Sequence, residues 1–179
     1  VTAYTCADLL LHPPLLAGCL QALGTLLHAP VRAAFVVGLP LEIGGRLYNC
    51  AAVFCRGELL GVVPKRNIPN YSEFYEMRHF AKGPDANGTL SVTWHQNAEV
   101  YVVPFGALQV FSCAELPDFS FGVEICEDVW VGDTPSVAMA KSGATIIVNL
   151  SCSDHRKREL SAHNSSGKVR QLIVCISVC

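Results

Sequence analysis

The chain has 179 residues, long enough for one domain with a sizeable core. Its formal net charge of −2 gives no electrostatic drive toward nucleic acid or an anionic membrane. At 51 % hydrophobic against 16 % charged residues it favours a sheet buried on both faces, yet no apolar stretch reaches the roughly 20 residues that span a bilayer.

The opening "VTAYTCADLLLHPPLL" has no basic n-region, so no signal peptide is expected. Residues 7–28 carry Leu, Ala and Gln at helical spacing, and Pro13-Pro14 puts the helix start near Pro14. "RAAFVVGLP" (32–40) is a β-branched run ending in Gly and Pro, and reads as a buried strand. "GRLYNCAAVFCRGELLGVVPK" (45–65) is two apolar runs joined by Arg56-Gly57, a hairpin signal. Residues 97–112 and 119–125 are further strands. "TPSVAMAKSG" opens with Thr134-Pro135 as N-cap and first turn and closes on Gly143, which predicts a short helix. "ATIIVNLS" (144–151) returns as a strand. Strand, helix, strand over 119–151 makes a βαβ unit, hence an α/β fold with a mixed sheet. The first residues read as the exit of a strand, and "RQLIVCISVC" stops inside an apolar run whose partners lie elsewhere, so a fragment of a longer chain is expected.

Nine cysteines sit at 6, 19, 50, 55, 113, 126, 152, 175 and 179. The number is odd, the spacing irregular, and no C-x-x-C pair occurs, which argues against a disulfide framework and a zinc site. Eight of them read as small buried hydrophobes in a reducing cytosol.

Cys126, in "FGVEICEDVW", stands apart: it follows a buried-strand signal and is flanked by Glu124, Glu127 and Asp128. Carboxylates raise a thiol's pKa, so a thiolate here needs a compensating cation or a base. A residue at the C-terminal end of a sheet strand sits where α/β sites are built, and the following turn offers backbone N–H groups to an oxyanion. Position alone favours one more core cysteine, since cysteines are common in this chain. The candidate cation is Lys65, constrained by Pro64 at a strand end; taken alone it reads rather as a surface lysine beside Arg66. His79 and His95 are candidate bases for a Cys-His site, with core or surface roles as the alternative.

Taken together, "VVPKRNIPNYSEFYEMRHF", "FGVEICEDVWV" and "GATIIVNLSCS" resemble the nitrilase (carbon–nitrogen hydrolase) superfamily, and within it the glutaminase domains of glutamine-dependent NAD synthetases. "GLPLEIGGRLYNCAAVFCRGELLGVVPK" matches that subgroup in order and spacing, and the likeness runs from about residue 1 to Ser153. The resemblance implies a four-layer α-β-β-α sandwich, of which residues 1–179 are one incomplete unit. It implies a Glu–Lys–Cys triad with Cys126 as nucleophile and Lys65 beside the oxyanion, Glu76 supporting the lysine, and the Glu127 N–H as second oxyanion donor. Glu127, Tyr71 and Ser153 match substrate-contacting positions, and no metal is implied. L-Glutamine would be hydrolysed through a thioester, releasing ammonia to a synthetase domain absent from these residues; ATP, Mg and deamido-NAD are implied for that domain alone. A cytoplasmic homo-oligomer is the expected setting. Two departures stand out. The family's general-base glutamate falls in a Pro-Glu-Leu segment before Val1, and Glu42 matches no triad position. After Ser153 the chain is shortened, leaving Arg156 and Arg158 as candidates for the glutamine carboxylate. The alternative readings are a stand-alone amidase or nitrilase of the same superfamily and a truncated, catalytically dead module.

Overall fold

The computed structural model describes residues 4–30, 32–93, 100–151 and 170–175, so Ser153, His95, Arg156 and Arg158 lie outside the described residues. The chain divides into two compact units, Val1–Ala107 and Leu108–Cys179, each built on its own mixed sheet. This is the α/β class read from the sequence. Among the described residues no helix is long and apolar enough to cross a membrane.

The first unit opens with a 3-10 segment, Tyr4–Leu11, and helix α1 (Pro13–Leu27). The prolines occupy its first turn, where a missing N–H leaves no bond unmade, so the helix starts one residue before the expected position. Leu23 and Leu27 of α1 join Leu39, Phe54, Val62 and Phe105 in one hydrophobic cluster. Burying each such side chain contributes on the order of 1.5–3 kcal/mol. The sheet contains β1 (Ala34–Ile43), β2 (Arg46–Cys55), β3 (Glu58–Pro64), β4 (Gly88–Thr93) and β5 (Val100–Phe105), in the order β1-β2-β3-β5-β4. Both faces of β2 are buried: Cys50, Ala52 and Phe54 on one parity, Ala51 and Val53 on the other.

Two-residue turns join β1 to β2 and β2 to β3. Gly44-Gly45 (φ 58° and 74°) and Arg56-Gly57 (φ 52° and 83°) are both left-handed throughout, the geometry that matches strand twist. The expected strand end at Pro40 is corrected: β1 runs on to Ile43. It is an edge strand, where a residue lacking an N–H is tolerated. The strand expected over 97–112 is two strands, β5 and β6 (Val110–Cys113), in different sheets; residues 97–99 lie outside the described residues. The chain breaks at Gly106, where any Cβ would collide with Asn87.

The second unit orders its strands β6-β7-β8-β9, with β7 (Leu116–Ile125), β8 (Ile146–Ser151) and β9 (Arg170–Cys175). β7 and β8 run parallel, Phe121 opposite Ile146 through Ile125 opposite Leu150, with helix α2 (Pro135–Lys141) between them in the chain. This is the βαβ unit expected from the sequence. The final apolar run finds a backbone partner within the chain after all, since β9 pairs in parallel with β8. Thr134 occupies the N-cap of α2 but makes no side-chain cap; the Ser136 N–H donates instead to Glu124 Oε2 at 3.2 Å.

Helix α2 approaches β7 over Gly122. A Cβ on Gly122 would lie 2.5 Å from Met139 Sδ and 3.1 Å from its Cβ. Gly122→Ala is therefore expected to lower stability by about 1–3 kcal/mol through overpacking. Urea unfolding measures it, and an unchanged midpoint would show that the helix does not depend on this close approach.

Candidate active site

Strand parity places the lysine. Val62 belongs to the cluster under α1, so Val63 and Lys65 project from the opposite side of the strand. The Lys65 N–H donates to the Asn49 carbonyl of β2 at 2.7 Å, and the Lys65 carbonyl accepts from the Gly83 N–H at 2.9 Å. Gly83 has to be glycine for that approach, because a Cβ there would sit 2.9 Å from the Lys65 oxygen. The surface reading of Lys65 fails: the residue is 1 % exposed. Its Nζ donates to both oxygens of Glu76, at 2.7 and 2.9 Å. Glu76 opens the 3-10 turn Glu76–Arg78 and is itself buried. Asn49 Nδ2 adds a longer bond to Glu76 Oε2 at 3.5 Å. The support of Lys65 by Glu76, implied by the resemblance, is thus a direct buried ion pair.

The same turn is tied to the N-terminal segment. Arg78 grips Asp8 with two bonds, Nε to Oδ1 at 2.8 Å and Nη2 to Oδ2 at 2.9 Å, and His79 Nε2 lies 2.9 Å from Asp8 Oδ1. These contacts hold the Asp8 carboxyl down from 3.8 to about 2, the Arg78 hydrogen bond acting most and the His79 bond next. His79, a candidate base in the sequence, is engaged with this aspartate. Tyr71, expected in a substrate pocket, is 54 % exposed and meets Phe74 edge-on at 5.8 Å between ring centres.

In the second unit Cys126 directly follows β7 and begins the 3-10 turn Cys126–Val129. It is 9 % exposed and has φ 47°, a left-handed conformation that side-chain-bearing residues adopt only when their surroundings enforce it. On one side Asp128 Oδ2 accepts from the Ile125 N–H at 3.1 Å; on the other Asn149 Nδ2 donates to the Cys126 carbonyl at 3.4 Å. Asn149 Nδ2 also reaches Glu124 Oε1 at 3.3 Å. Burial pushes the Glu124 carboxyl above its ordinary range, against the bonds from Asn149 and Ser136 and with help from the Asp128 charge. Glu127 is half-buried at the position after the cysteine. The sharp turn presents a thiol at a strand end, followed by backbone N–H groups, which is an arrangement suited to acyl transfer.

Of the other cysteines, Cys152 and Cys179 and the side chain of Cys175 lie outside the described residues, and the remaining five divide. Cys50 and Cys19 are buried, and burial pushes both thiols up, as small hydrophobes. Cys6, Cys55 and Cys113 are half-buried rather than buried, which corrects the uniform core reading for those three. Sequence reasoning missed Asn49, Asn149 and Asp8 as parts of these constellations and saw Glu124 only as a charge beside the cysteine; the signal that could have found Asn49 and Asn149 is an amide inside an apolar strand run.

The sequence pattern of the carbon–nitrogen hydrolase family matches residues 21–172, a span holding Lys65, Glu76 and Cys126. The chain belongs to the carbon–nitrogen hydrolase family. It is 41 % identical over 153 residues to the glutamine-dependent NAD(+) synthetase of Mycobacterium bovis, covering 84 % of this chain but 22 % of that protein. Among solved structures it resembles the glutamine-dependent NAD(+) synthetase of Cytophaga hutchinsonii, with a TM-score of 0.68 and 26 % identity, over 90 % of this chain and 25 % of that one. The synthetase of Acinetobacter baumannii, solved with adenosine diphosphate, gives a TM-score of 0.64 and 29 % identity, covering 89 % and 26 %. The chain thus spans about a quarter or less of the relatives it matches.

Two outcomes follow from the lysine end of this hydrolase. Glu76→Gln leaves a buried ammonium without its counter-charge and is expected to destabilise the protein by about 3–5 kcal/mol in urea unfolding; a loss near zero would mean the ion pair contributes nothing to the fold. The Asp8 carboxyl is depressed in the folded state, so its contribution is full above the unfolded value near 3.8 and disappears as pH falls toward 2. Asp8→Asn should flatten the acid-unfolding curve between about pH 4 and 2, and a curve of unchanged slope there would count against the clip.

Proposed function

We propose that this chain is an incomplete carbon–nitrogen hydrolase domain, residues 1–179, that hydrolyses the carboxamide of L-glutamine. The observation that carries the reading is the buried Lys65 ammonium held on both Glu76 oxygens, an arrangement that fixes a cation where water is excluded. The family membership and the glutamine dependence of the named relatives support the choice of substrate.

In this reading the Cys126 sulfur attacks the carboxamide carbon and the carbonyl oxygen becomes an oxyanion. The Glu127 N–H steadies that charge, a task for which the family resemblance also casts Lys65, its Nζ held by Glu76. The proton given up by the thiol passes to the nitrogen, which leaves as ammonia when the C–N bond breaks, and a Cys126 thioester remains. Water then cleaves the thioester, giving glutamate and the free thiol. Glu127, Tyr71 and Ser153 contact the substrate. No metal or cofactor enters these steps.

The ammonia passes to a synthetase domain that uses ATP, Mg and deamido-NAD to form NAD, in a cytoplasmic, homo-oligomeric protein whose hydrolase part has the four-layer nitrilase arrangement. The relatives' being NAD(+) synthetases, and the fraction of their length that this chain spans, favour that setting over a stand-alone amidase.

A chloroketone analogue of glutamine tests the nucleophile. Intact-mass measurement is expected to find one adduct, mapped to Cys126 and suppressed by excess glutamine, and none in Cys126→Ala. Stoichiometric, glutamine-protected labelling of the Cys126→Ala protein would refute the assignment.

A further inference from the structure

The left-handed turn at Cys126 has to be held, because such a conformation costs on the order of 1–3 kcal/mol in a residue with a side chain. Among the contacts described, one acts directly on the peptide that follows the thiol: Asn149 Nδ2 donates to the Cys126 carbonyl. That carbonyl and the Glu127 N–H belong to one planar trans peptide, so they point in opposite directions as a rigid pair. Fixing the carbonyl fixes the aim of the N–H.

Asn149 is itself fixed. It stands opposite Glu124 in the parallel β7–β8 ladder, both residues are almost fully buried, and its Nδ2 also donates to Glu124 Oε1. The other Glu124 oxygen accepts from the Ser136 N–H in the first turn of α2. The carboxyl therefore reads which end of the Asn149 amide is presented: with two acceptor oxygens it selects the NH2 end. A flipped amide would set oxygen against oxygen at both Glu124 and Cys126.

We propose that Glu124 and Asn149 are positioning residues that aim the Glu127 N–H at the oxyanion formed when Cys126 is acylated. This rests on the reading of Cys126 as an acyl-accepting nucleophile, but not on glutamine as the donor. Neither residue touches the reacting atoms; Asn149 acts through the peptide plane and Glu124 through Asn149.

The test compares two reactions of Cys126 in the 179-residue chain. With p-nitrophenyl acetate the sulfur adds to the ester carbon, an oxyanion forms, p-nitrophenolate leaves and an acetyl thioester results. With iodoacetamide the sulfur displaces iodide directly and no oxyanion forms. Both are followed by peptide mapping of Cys126, with the Cys126→Ala protein as blank. Asn149→Asp, nearly the same shape without the donor, is expected to slow acetylation by about 100-fold, the effect of losing one oxyanion donor, while alkylation changes by no more than about threefold. Glu124→Gln turns an NH2 group on Asn149, forces the amide to flip and should slow acetylation selectively as well. Combining the two substitutions restores a hydrogen bond between positions 124 and 149, with Gln donating to Asp, but not the donor to the Cys126 carbonyl. The double variant should regain thermal stability lost by either single one and remain slow in acetylation. If acetylation recovers with stability, or if acetylation and alkylation fall in parallel in every variant that folds, the pair is structural and the proposal fails. It fails too if Cys126 of the unaltered chain is not acetylated at all. Acetylation without any thioester from glutamine would instead defeat the substrate assignment and leave the positioning comparison standing.

Discussion

An ammonium cannot be taken out of water unless a carboxylate meets it at hydrogen-bonding distance, and much of the first unit can be read as the means of arranging that meeting. Lys65 ends a strand whose other parity belongs to the hydrophobic cluster, so period-two geometry sends its side chain away from α1. The carboxylate comes from the turn Glu76–Arg78, eleven residues on, and returns both oxygens to Nζ. Buried charges are as a rule paired, and here the pairing is bidentate. The intervening loop is anchored at several points: the Glu76 N–H on the Pro69 carbonyl, the Gly83 N–H on the Lys65 carbonyl, and the Asp8 clip on Arg78 and His79. A buried pair of this kind adds little to stability compared with an apolar replacement, while breaking it is costly. Its value lies in holding a positive charge in a dry, fixed place.

The second unit solves a different problem, that of bending a buried strand sharply without leaving polar atoms unmet. β7 delivers Cys126 at a left-handed residue, and the bend is pinned on both sides, by Asp128 before it and Asn149 after it. Gly122 lets α2 lie close enough for its first turn to reach Glu124, which links the helix to the same hydrogen-bond chain. The thiol's backbone is therefore set by groups from β7, β8 and α2 together.

How far this could be read from the sequence follows from the range of each interaction. The hairpin at Arg56-Gly57 and the start of α1 depend on neighbours in sequence, and local signals sufficed; the βαβ unit followed from the order of its strand, helix and strand signals, not from any contact between them. Lys65 and Cys126 were visible as members of motifs, though composition alone left each with a bland reading. The edge position of β1, which lets it continue through Pro40, is a property of strand order and has no local signature. The same holds for Asp8, which meets Arg78 across 70 residues, and for Asn149, which meets Glu124 across 25. Their chemistry is ordinary; only the topology makes them partners. β4, short and alternating between polar and apolar residues, lacked the apolar run by which its neighbours were recognised.

The acidic flank of Cys126 has a structural role that its sequence does not show. Three carboxylates around a thiol suggest a site that resists thiolate formation. In the structure, two of them are directed elsewhere: Glu124 accepts from an asparagine amide and a helix N–H, and Asp128 accepts from the Ile125 N–H. Carboxyl oxygens so engaged act as fixed acceptors within the hydrogen-bond chain that shapes the turn. The neighbours that stand out in the sequence as charges beside the sulfur are thus also groups that hold its backbone in place.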